Sequence, residues 1–414
     1  MKVSVLGLGY IGLPTAALIS SKKINVEGID LQKSIINRVK KGKIHIVEKG
    51  LEKLVKKSVQ DGFLTADIVL KRSDVFIIAV PTPIKKNNEP DLSYIFKAIK
   101  DISKVLEKGN LIIIESTIPV GTSQKLAEEM KKLRPDLKSP YLGSKNADFS
   151  LSYCPERVLP GNILKELVLN DRVIGGINYF SSESAKKFYK LFVRGNCHST
   201  DCRTAELCKL IENSSRDLNI AFANELSLIS DELEINVWDL IKLANYHPRV
   251  NILNPGPGVG GHCIAVDPWF VINSAPSQSK IIKKARNIND DMPNQIIKKI
   301  KKITSKENLN LKEIEIACLG LSFKADVDDL RESPAIEVIK KIKYLNPKKI
   351  NVVEPNIRKL PEKQKISFVK LVSLKKAIQD SKLIIVLVDH KEFKKISFED
   401  FKDKVVIDVK GIFN

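Results

Sequence analysis

Short apolar runs alternate with amphipathic stretches through residues 1–200. The runs Val3–Leu6, Asn25–Ile29, Val75–Val80, Leu111–Glu115, Leu151–Tyr153 and Arg172–Gly175 read as strands, and the segments between them as helices. Strands that alternate with helices predict a parallel α/β sheet. A loop of unusual composition follows each run: "GLGYIG", then Asp30, "PTP" (81–83), "STIPVGT" (116–122), "CPERVLPG" (154–161) and "GG" (175–176). Ligands of open parallel sheets bind at the carboxyl ends of the strands, so chemistry is expected there.

The rhythm changes in the middle of the chain. Residues 203–242 have few breakers and predict one long helix with Leu207, Leu210, Ile211, Leu218 and Ala221 on its apolar face. Lys209, Asn213 and Arg216 fall at i, i+4, i+7 within about 60° of one another, opposite that face. A second helical stretch covers roughly 278–303. This region is expected to link two halves and to supply a dimer interface. From about residue 312 the α/β rhythm resumes, with strands at Glu313–Leu319, Lys349–Val353, Leu383–Val388 and Val405–Asp408. Three regions follow: 1–200, 201–305 and 306–414.

Composition narrows the class. A 414-residue chain, 43% hydrophobic and 29% charged, is a multidomain globular protein. No apolar run approaches the ~20 residues of a spanning helix. The apolar start turns at once into a glycine loop instead of a signal peptide, so a cytoplasmic location is expected. Six cysteines without a CxxC pair are expected to be reduced thiols, and no metal is expected. The net charge of +20 comes from lysines scattered in pairs, with no basic block interleaved with aromatics. That pattern predicts a solvated basic surface suited to an anionic small molecule, with no nucleic-acid partner.

Two motifs carry chemistry. Gly7-x-Gly9-x-x-Gly12 lies between a strand and a helix, and Asp30 ends the second strand. The first glycine permits a tight turn, the second admits a pyrophosphate, and the third allows close helix packing. An acid at Asp30 would bind a ribose 2′-hydroxyl and repel a 2′-phosphate, which favours NAD over NADP. The second motif is "GPGVGGHCIAVDPWF" (256–270), with Cys263 among glycines, beside His262 and four residues before Asp267. A thiol beside NAD can capture an aldehyde as a thiohemiacetal, which a second hydride transfer converts to a thioester that water releases as an acid. Lys209 could stabilise an oxyanion, Asn213 position the same oxygen or a water, and Asp267 act as a base or tune Lys209.

Together these segments resemble the UDP-glucose/GDP-mannose dehydrogenase family. "GLGYIGLP", "VPTP", "STIPVGT", "CPERVLPG", "AELCKLIENSSRDLNIAFANEL", "GPGVGGHCIAVDPWF" and "GLSFKADVDDLRESP" occur in the family's order. The resemblance implies two Rossmann-like doubly wound parallel-sheet domains joined by a long central helix, the first binding NAD and the second a UDP-sugar, in a homodimer or homotetramer. It makes Cys263 the nucleophile and Lys209 the catalytic lysine, assisted by Asn213, Asp267, Glu156 and Thr117. It assigns Gly7, Gly9, Tyr10, Ile11, Gly12, Asp30, Thr82, Thr117 and Arg331 to the cofactor. Many members carry a basic residue where this chain has Ile35, and Lys33 is expected to replace it.

The branch can also be read. Pro160 stands where UDP-glucose oxidisers usually carry an acid, and "GGHCIAVDPWF" replaces their "GGSCFPKD". Both features resemble the members that oxidise UDP-N-acetylmannosamine to its uronate, for glycan biosynthesis. UDP-N-acetylglucosamine and UDP-glucose are the alternatives. Arg157, Val158, Arg216, His247, Arg249 and Gly260 match that branch's substrate contacts, with Lys209 and Asn213. His247 and Arg249 are similar to residues that reach a neighbouring subunit's site. Phe323 is expected among the substrate contacts, Lys324 and Arg331 keep the family's pattern, and Lys410, also expected at the substrate, stands where arginine is commoner. A two-electron dehydrogenase would need no thiol, and a nucleic-acid module would bind DNA or RNA with steep salt dependence.

Overall fold

The computed structural model describes every residue except Leu142, Gly143, Lys145, Pro160, 362–368 and Asn414. Pro160, used above to read the branch, therefore lies outside the described residues. The chain divides into two compact units: Met1–Glu212 with Trp269–Ala275, and Asn213–Pro268 with Pro276–Asn414.

The first unit is built on eight strands: β1 (Lys2–Leu6), β2 (Asn25–Ile29), β3 (Leu64–Asp67), β4 (Val75–Ile78), β5 (Leu111–Ile114), β6 (Ser150–Tyr153), β7 (Arg172–Gly176) and β8 (Cys197–Asp201). Their order is β3-β2-β1-β4-β5-β6-β7-β8, parallel except where β6 meets β7. Seven helices connect them: α1 (Gly12–Ser20), α2 (Lys33–Lys40), α3 (Leu51–Gln60), α4 (Ser93–Ser103), α5 (Thr122–Leu133), α6 (Ile163–Leu169) and α7 (Tyr179–Tyr189). The central strands feed two cores. Ile77 and Ile113 join one with α1, α2, α3 and α7, while Phe76, Ile78, Ile112 and Ile114 join another with α4 and α5. Burial on both faces is why these strands are continuous apolar runs.

Helix α8 (Cys202–Glu232) crosses from the first unit into the second, which continues with α9 (Val237–Ala244). Helix α10 (Asp267–Ser274) crosses back, and α11 (Lys280–Lys306) precedes the second sheet. That sheet has β9 (Glu315–Leu319), β10 (Lys349–Val353), β11 (Val369–Leu371), β12 (Leu383–Val386) and β13 (Val405–Asp408), with α12 (Pro334–Lys343) and α13 (Leu374–Asp380). Its order is β11-β10-β9-β12-β13, all parallel. Both sheets are doubly wound, as the sequence implied.

The three strands missing from the sequence reading are β3, β8 and β11, and each is a sheet edge. An edge strand has one neighbour and more solvent, so β8 can be built from the polar string CHSTD. The single helix expected over 203–242 is two helices. The chain turns at Glu234, whose φ is +55°, and Asn236 then caps α9 by accepting from the Trp238 and Asp239 amides.

The expected faces of α8 are also corrected. Leu210 and Ala221 are buried, but Leu207, Ile211, Phe222 and Ile229 are exposed. The buried side carries Glu206, Lys209, Ser214, Asp217 and Asn224. Asp217 pairs with Arg286 of α11, both fully buried, and Asn289 donates to Asp217 at 2.8 Å. Asn224 donates to Asn289 at 2.8 Å and accepts from the Gly256 amide at 2.8 Å. Polar residues can line a buried helix face when partners on neighbouring segments compensate their lost contact with water.

The two sheets repeat one local circuit. Gly7 (φ +92°) follows β1, donates to Ile29 at 2.8 Å, and precedes Leu8, whose amide donates to Asp30 at 3.0 Å. Gly320 (φ +98°) follows β9, donates to Val353 at 2.8 Å, and precedes Leu321, whose amide donates to Glu354 at 2.8 Å. The second acid is closed off, because buried His390 bonds Glu354 at 3.1 Å. That contact and the backbone donors hold the Glu354 carboxyl low against the opposing effect of burial.

Arg286→Met strands the buried Asp217 charge and should cost about 3–5 kcal/mol, read as a lower urea midpoint. The double variant Asp217→Asn with Arg286→Met should lose less; an equal or larger loss contradicts the charge argument.

Candidate active site

The first unit holds the glycine loop at the point where strand order reverses between β1 and β4. A Cβ on Gly7 would lie 2.5 Å from the Ala79 carbonyl oxygen, and one on Gly12 would lie 1.8 Å from that of Gly7. Gly9 differs, since its Cβ would meet nothing within 4 Å. The second glycine therefore faces open space. Helix α1 starts at Gly12 with no side-chain cap, which leaves its first amides for an anion. Asp30 accepts from Leu8 and, at 2.8 Å, from the Gln32 amide, so its carboxylate is fixed at the strand end. Tyr10 is exposed, Ile11 is half-buried, and Lys33 is exposed at the start of α2. Ile35 packs into the core, which explains why it carries no charge. These features fit a dinucleotide.

The loops after β4 and β5 are tied together. The Thr82 hydroxyl donates to the Thr117 carbonyl at 2.7 Å and that of Ser116 to Val80 at 2.6 Å. In the loop after β6, buried Glu156 accepts from Arg172 at 2.7 Å and from the Arg157 amide at 2.8 Å. Arg157 reaches Glu212 of α8 at 2.5 Å and the Asp171 carbonyl at 2.6 Å, and Val158 packs on the core. Lys209 is buried on α8, one turn before Asn213.

The second unit holds the thiol. Among the six cysteines Cys263 is exposed, whereas Cys154, Cys202 and Cys318 are buried. Burial pushes those three thiols up to about 12, which makes them inert. The Cys263 carbonyl accepts from the Asp267 amide at 2.9 Å, so the thiol sits in the turn that starts α10. Asp267 is buried and accepts from Asn213 Nδ2 at 2.5 Å, which joins this turn to α8. Burial, then the Arg331 charge, holds His262 below the usual histidine range.

The glycines of this stretch serve the chain itself. A Cβ on Gly258 (φ +125°) would meet the Asn289 carbonyl at 2.7 Å, and one on Gly260 the Glu332 carbonyl at 2.4 Å. Gly261 (φ +81°) lies against the Phe323 ring, and its amide donates to Arg331. The turn that carries Cys263 is thus packed on the 321–334 segment, which carries exposed Lys324 and half-buried Phe323. Arg331 is held by Asp329 through contacts of 2.8 and 2.5 Å. Lys410 lies 3.6 Å from Asp389 and precedes Gly411, which packs on Trp238. Arg216, His247 and Arg249 are exposed. Among the described residues no group of three His, Cys, Asp or Glu side chains could hold a metal ion.

Sequence reasoning missed Arg172, Glu115, Glu206 and Arg286. Glu206 is buried and accepts from the Gly121 and Ser123 amides, holding the start of α5 after the Thr117 loop. A charge beside an apolar run, as at Arg172 and Glu115, was the available signal.

Domains described for the UDP-glucose/GDP-mannose dehydrogenase family match in sequence: its NAD binding domain at residues 1–193, central domain at 203–291 and UDP binding domain at 317–414. A UDP-N-acetyl-D-mannosamine dehydrogenase of Campylobacter jejuni is 54% identical over 410 residues, 98% of each chain. An NDP-N-acetyl-D-galactosaminuronic acid dehydrogenase of Ralstonia nicotianae is 48% identical, covering 100% of this chain and 96% of the relative. The solved structure of the UDP-D-ManNAc dehydrogenase of Pyrococcus horikoshii superposes with a TM-score of 0.89 at 38% identity, covering 100% of this chain and 96% of that one.

The open side of Gly9 separates binding from folding. Gly9→Ala should leave the melting temperature in place and weaken NAD binding by about tenfold or more in titration calorimetry, through lost phosphate contacts. Gly12→Ala should instead lower stability. Unchanged NAD affinity in Gly9→Ala contradicts the placement.

Proposed function

The chain belongs to the UDP-glucose/GDP-mannose dehydrogenase family and is an NAD-dependent nucleotide-sugar dehydrogenase; from that premise we propose that it oxidises UDP-N-acetyl-D-mannosamine by four electrons to UDP-N-acetyl-D-mannosaminuronate. The observation that carries this reading is the exposed Cys263 in a turn tied to α8 by the Asn213–Asp267 hydrogen bond. The relatives named for N-acetylated sugars support the substrate class. A base and a reducible cofactor suffice to make an aldehyde, whereas a thiol allows oxidation to continue.

In the proposed route NAD supplies the hydride acceptor twice per sugar. Cys263 sulfur adds to the C6 aldehyde, and its proton passes to the aldehyde oxygen. Loss of the second hydride and that proton leaves a thioester on Cys263. Glu156 takes a proton from water, the hydroxide adds to the thioester carbonyl, the C–S bond breaks, and the thiolate recovers the proton. Lys209 stabilises the oxyanions, Asn213 positions the reacting oxygen, and Asp267 orients Asn213 and tunes Lys209. Thr117 supports the water or the C6 oxygen. Arg157, Val158, Arg216, Gly260, Phe323, Lys324 and Lys410 bind the nucleotide sugar. Arg331 and Lys33 serve the cofactor.

A homodimer or larger homo-oligomer fits the exposed stripe of α8. Exposed Leu207, Ile211, Phe222 and Ile229 and half-buried Leu218 fall within about 60° at 100° per residue. In that assembly, exposed His247 and Arg249 reach the neighbouring protomer's substrate.

Complete oxidation should yield two NADH per sugar with UDP-N-acetylmannosamine, and less turnover with UDP-N-acetylglucosamine or UDP-glucose in the same panel. Cys263→Ser should release no acid; acid formation at the wild-type rate refutes the covalent route. Ile211→Glu with Phe222→Glu should sediment as a monomer, and a monomeric wild type refutes the interface.

A further inference from the structure

The proposed route leaves one buried carboxyl unused. Glu115 follows β5, one residue before Ser116, and is 3% exposed. Its two oxygens accept from the Tyr189 hydroxyl of α7 at 2.7 Å and from the Thr15 hydroxyl of α1 at 3.3 Å. The Arg172 guanidinium of β7 lies over the Tyr189 ring at 5.0 Å and donates to Glu156 at 2.7 Å. Cys154, after β6, completes the group with a neutral thiol. The cluster therefore contains two carboxyls, Glu115 and Glu156, and one guanidinium to balance them.

That arithmetic forces a choice of where one proton sits. Two buried carboxylates sharing one cation leave an uncompensated charge, so one carboxyl holds a proton instead. Glu156 has the direct contact with Arg172, whereas Glu115 has only neutral donors. We propose that Glu115 is a positioning residue for the acid-releasing step, holding a proton so that Arg172 belongs to Glu156 alone. This inference rests on Glu156 being the base of that step. Burial first, then the Glu156 charge, pushes Glu115 up to about 7, while Arg172, Tyr189 and Thr15 pull it down. Above neutrality Glu115 ionises and two buried carboxylates then compete for Arg172, so the contact that holds Glu156 in place is weakened.

Two readouts on the full-length protein test this. Infrared titration of the ligand-free wild type should show the absorbance of a neutral carboxylic acid that disappears as pH passes through about 7. Glu115→Gln should abolish that titration, and Tyr189→Phe should move it to higher pH, because the lost hydroxyl favours the ionised form. Acid release from acylated Cys263, where the thiol cannot titrate, should fall several-fold across neutrality in wild type and lose that fall in Glu115→Gln. A titrating band or a rate fall that survives in Glu115→Gln overturns the proposal. Failure of the wild type to form acid from any nucleotide sugar overturns the functional reading instead, and the infrared titration separately decides where the proton lies.

Discussion

The turn that carries Cys263 depends on an ion pair remote in sequence from it. Arg286 and Asp217 meet fully buried; Arg286 also reaches Asp290 at 2.7 Å, but the Asp217 charge could not remain there without Arg286. Their pairing fixes α11 against α8 and places Asn289, which orients Asn224, which in turn holds the Gly256 amide. The stretch that carries Cys263 is thereby anchored at its start by side chains from two helices. At its end Asp267 and Asn213 anchor it again. A glycine-rich segment has too little side chain to fix itself, so its shape comes from this polar frame.

The central strands were legible because burial on both faces leaves only apolar residues acceptable there. Strand β2 matches its expected bounds, as do β10 and β13. Edge strands β3, β8 and β11 escape the same test, since solvent replaces one neighbour. The glycine loop and Asp30 were legible because tight backbone crossings admit one residue type. The faces of α8 were not, because hydrophobicity alone ranks Leu207 and Ile211 as inside and Asp217 as outside. In the folded chain the ion pair and hydrogen bonds of Asp217 with Arg286 and Asn289 reverse that order. The same limit hid Glu115 and Arg172, whose partners come from segments far apart in sequence. The need for Gly258, Gly260 and Gly261 was not legible either, because the groups they pack against, Asn289, Glu332 and Phe323, lie far along the chain.

The acids at the strand ends show how one kind of group, the carboxyl, is held in different surroundings. Asp30 is fixed by two backbone amides. Glu156 is fixed by a buried guanidinium and Glu115 by two hydroxyls. Amides and guanidinium groups favour a carboxylate, whereas neutral hydroxyl donors in a buried setting leave the proton near its balance point. Position in the sheet alone would make these groups alike; the donors around them make them distinct.

The circuit shared by Gly7 with Asp30 and Gly320 with Glu354 bears on timing. With His390 seated on Glu354, the acid of the second copy is engaged, whereas Asp30 of the first accepts from backbone amides alone among the described residues. On the proposed route the first copy must discharge one spent carrier and admit a fresh one halfway through each sugar. During that exchange a loosely held aldehyde could diffuse away, whereas a carbon–sulfur bond tethers it. Asp30 and the thiol thus answer the same scheduling problem: one receives each carrier in turn, and the other makes the cargo wait.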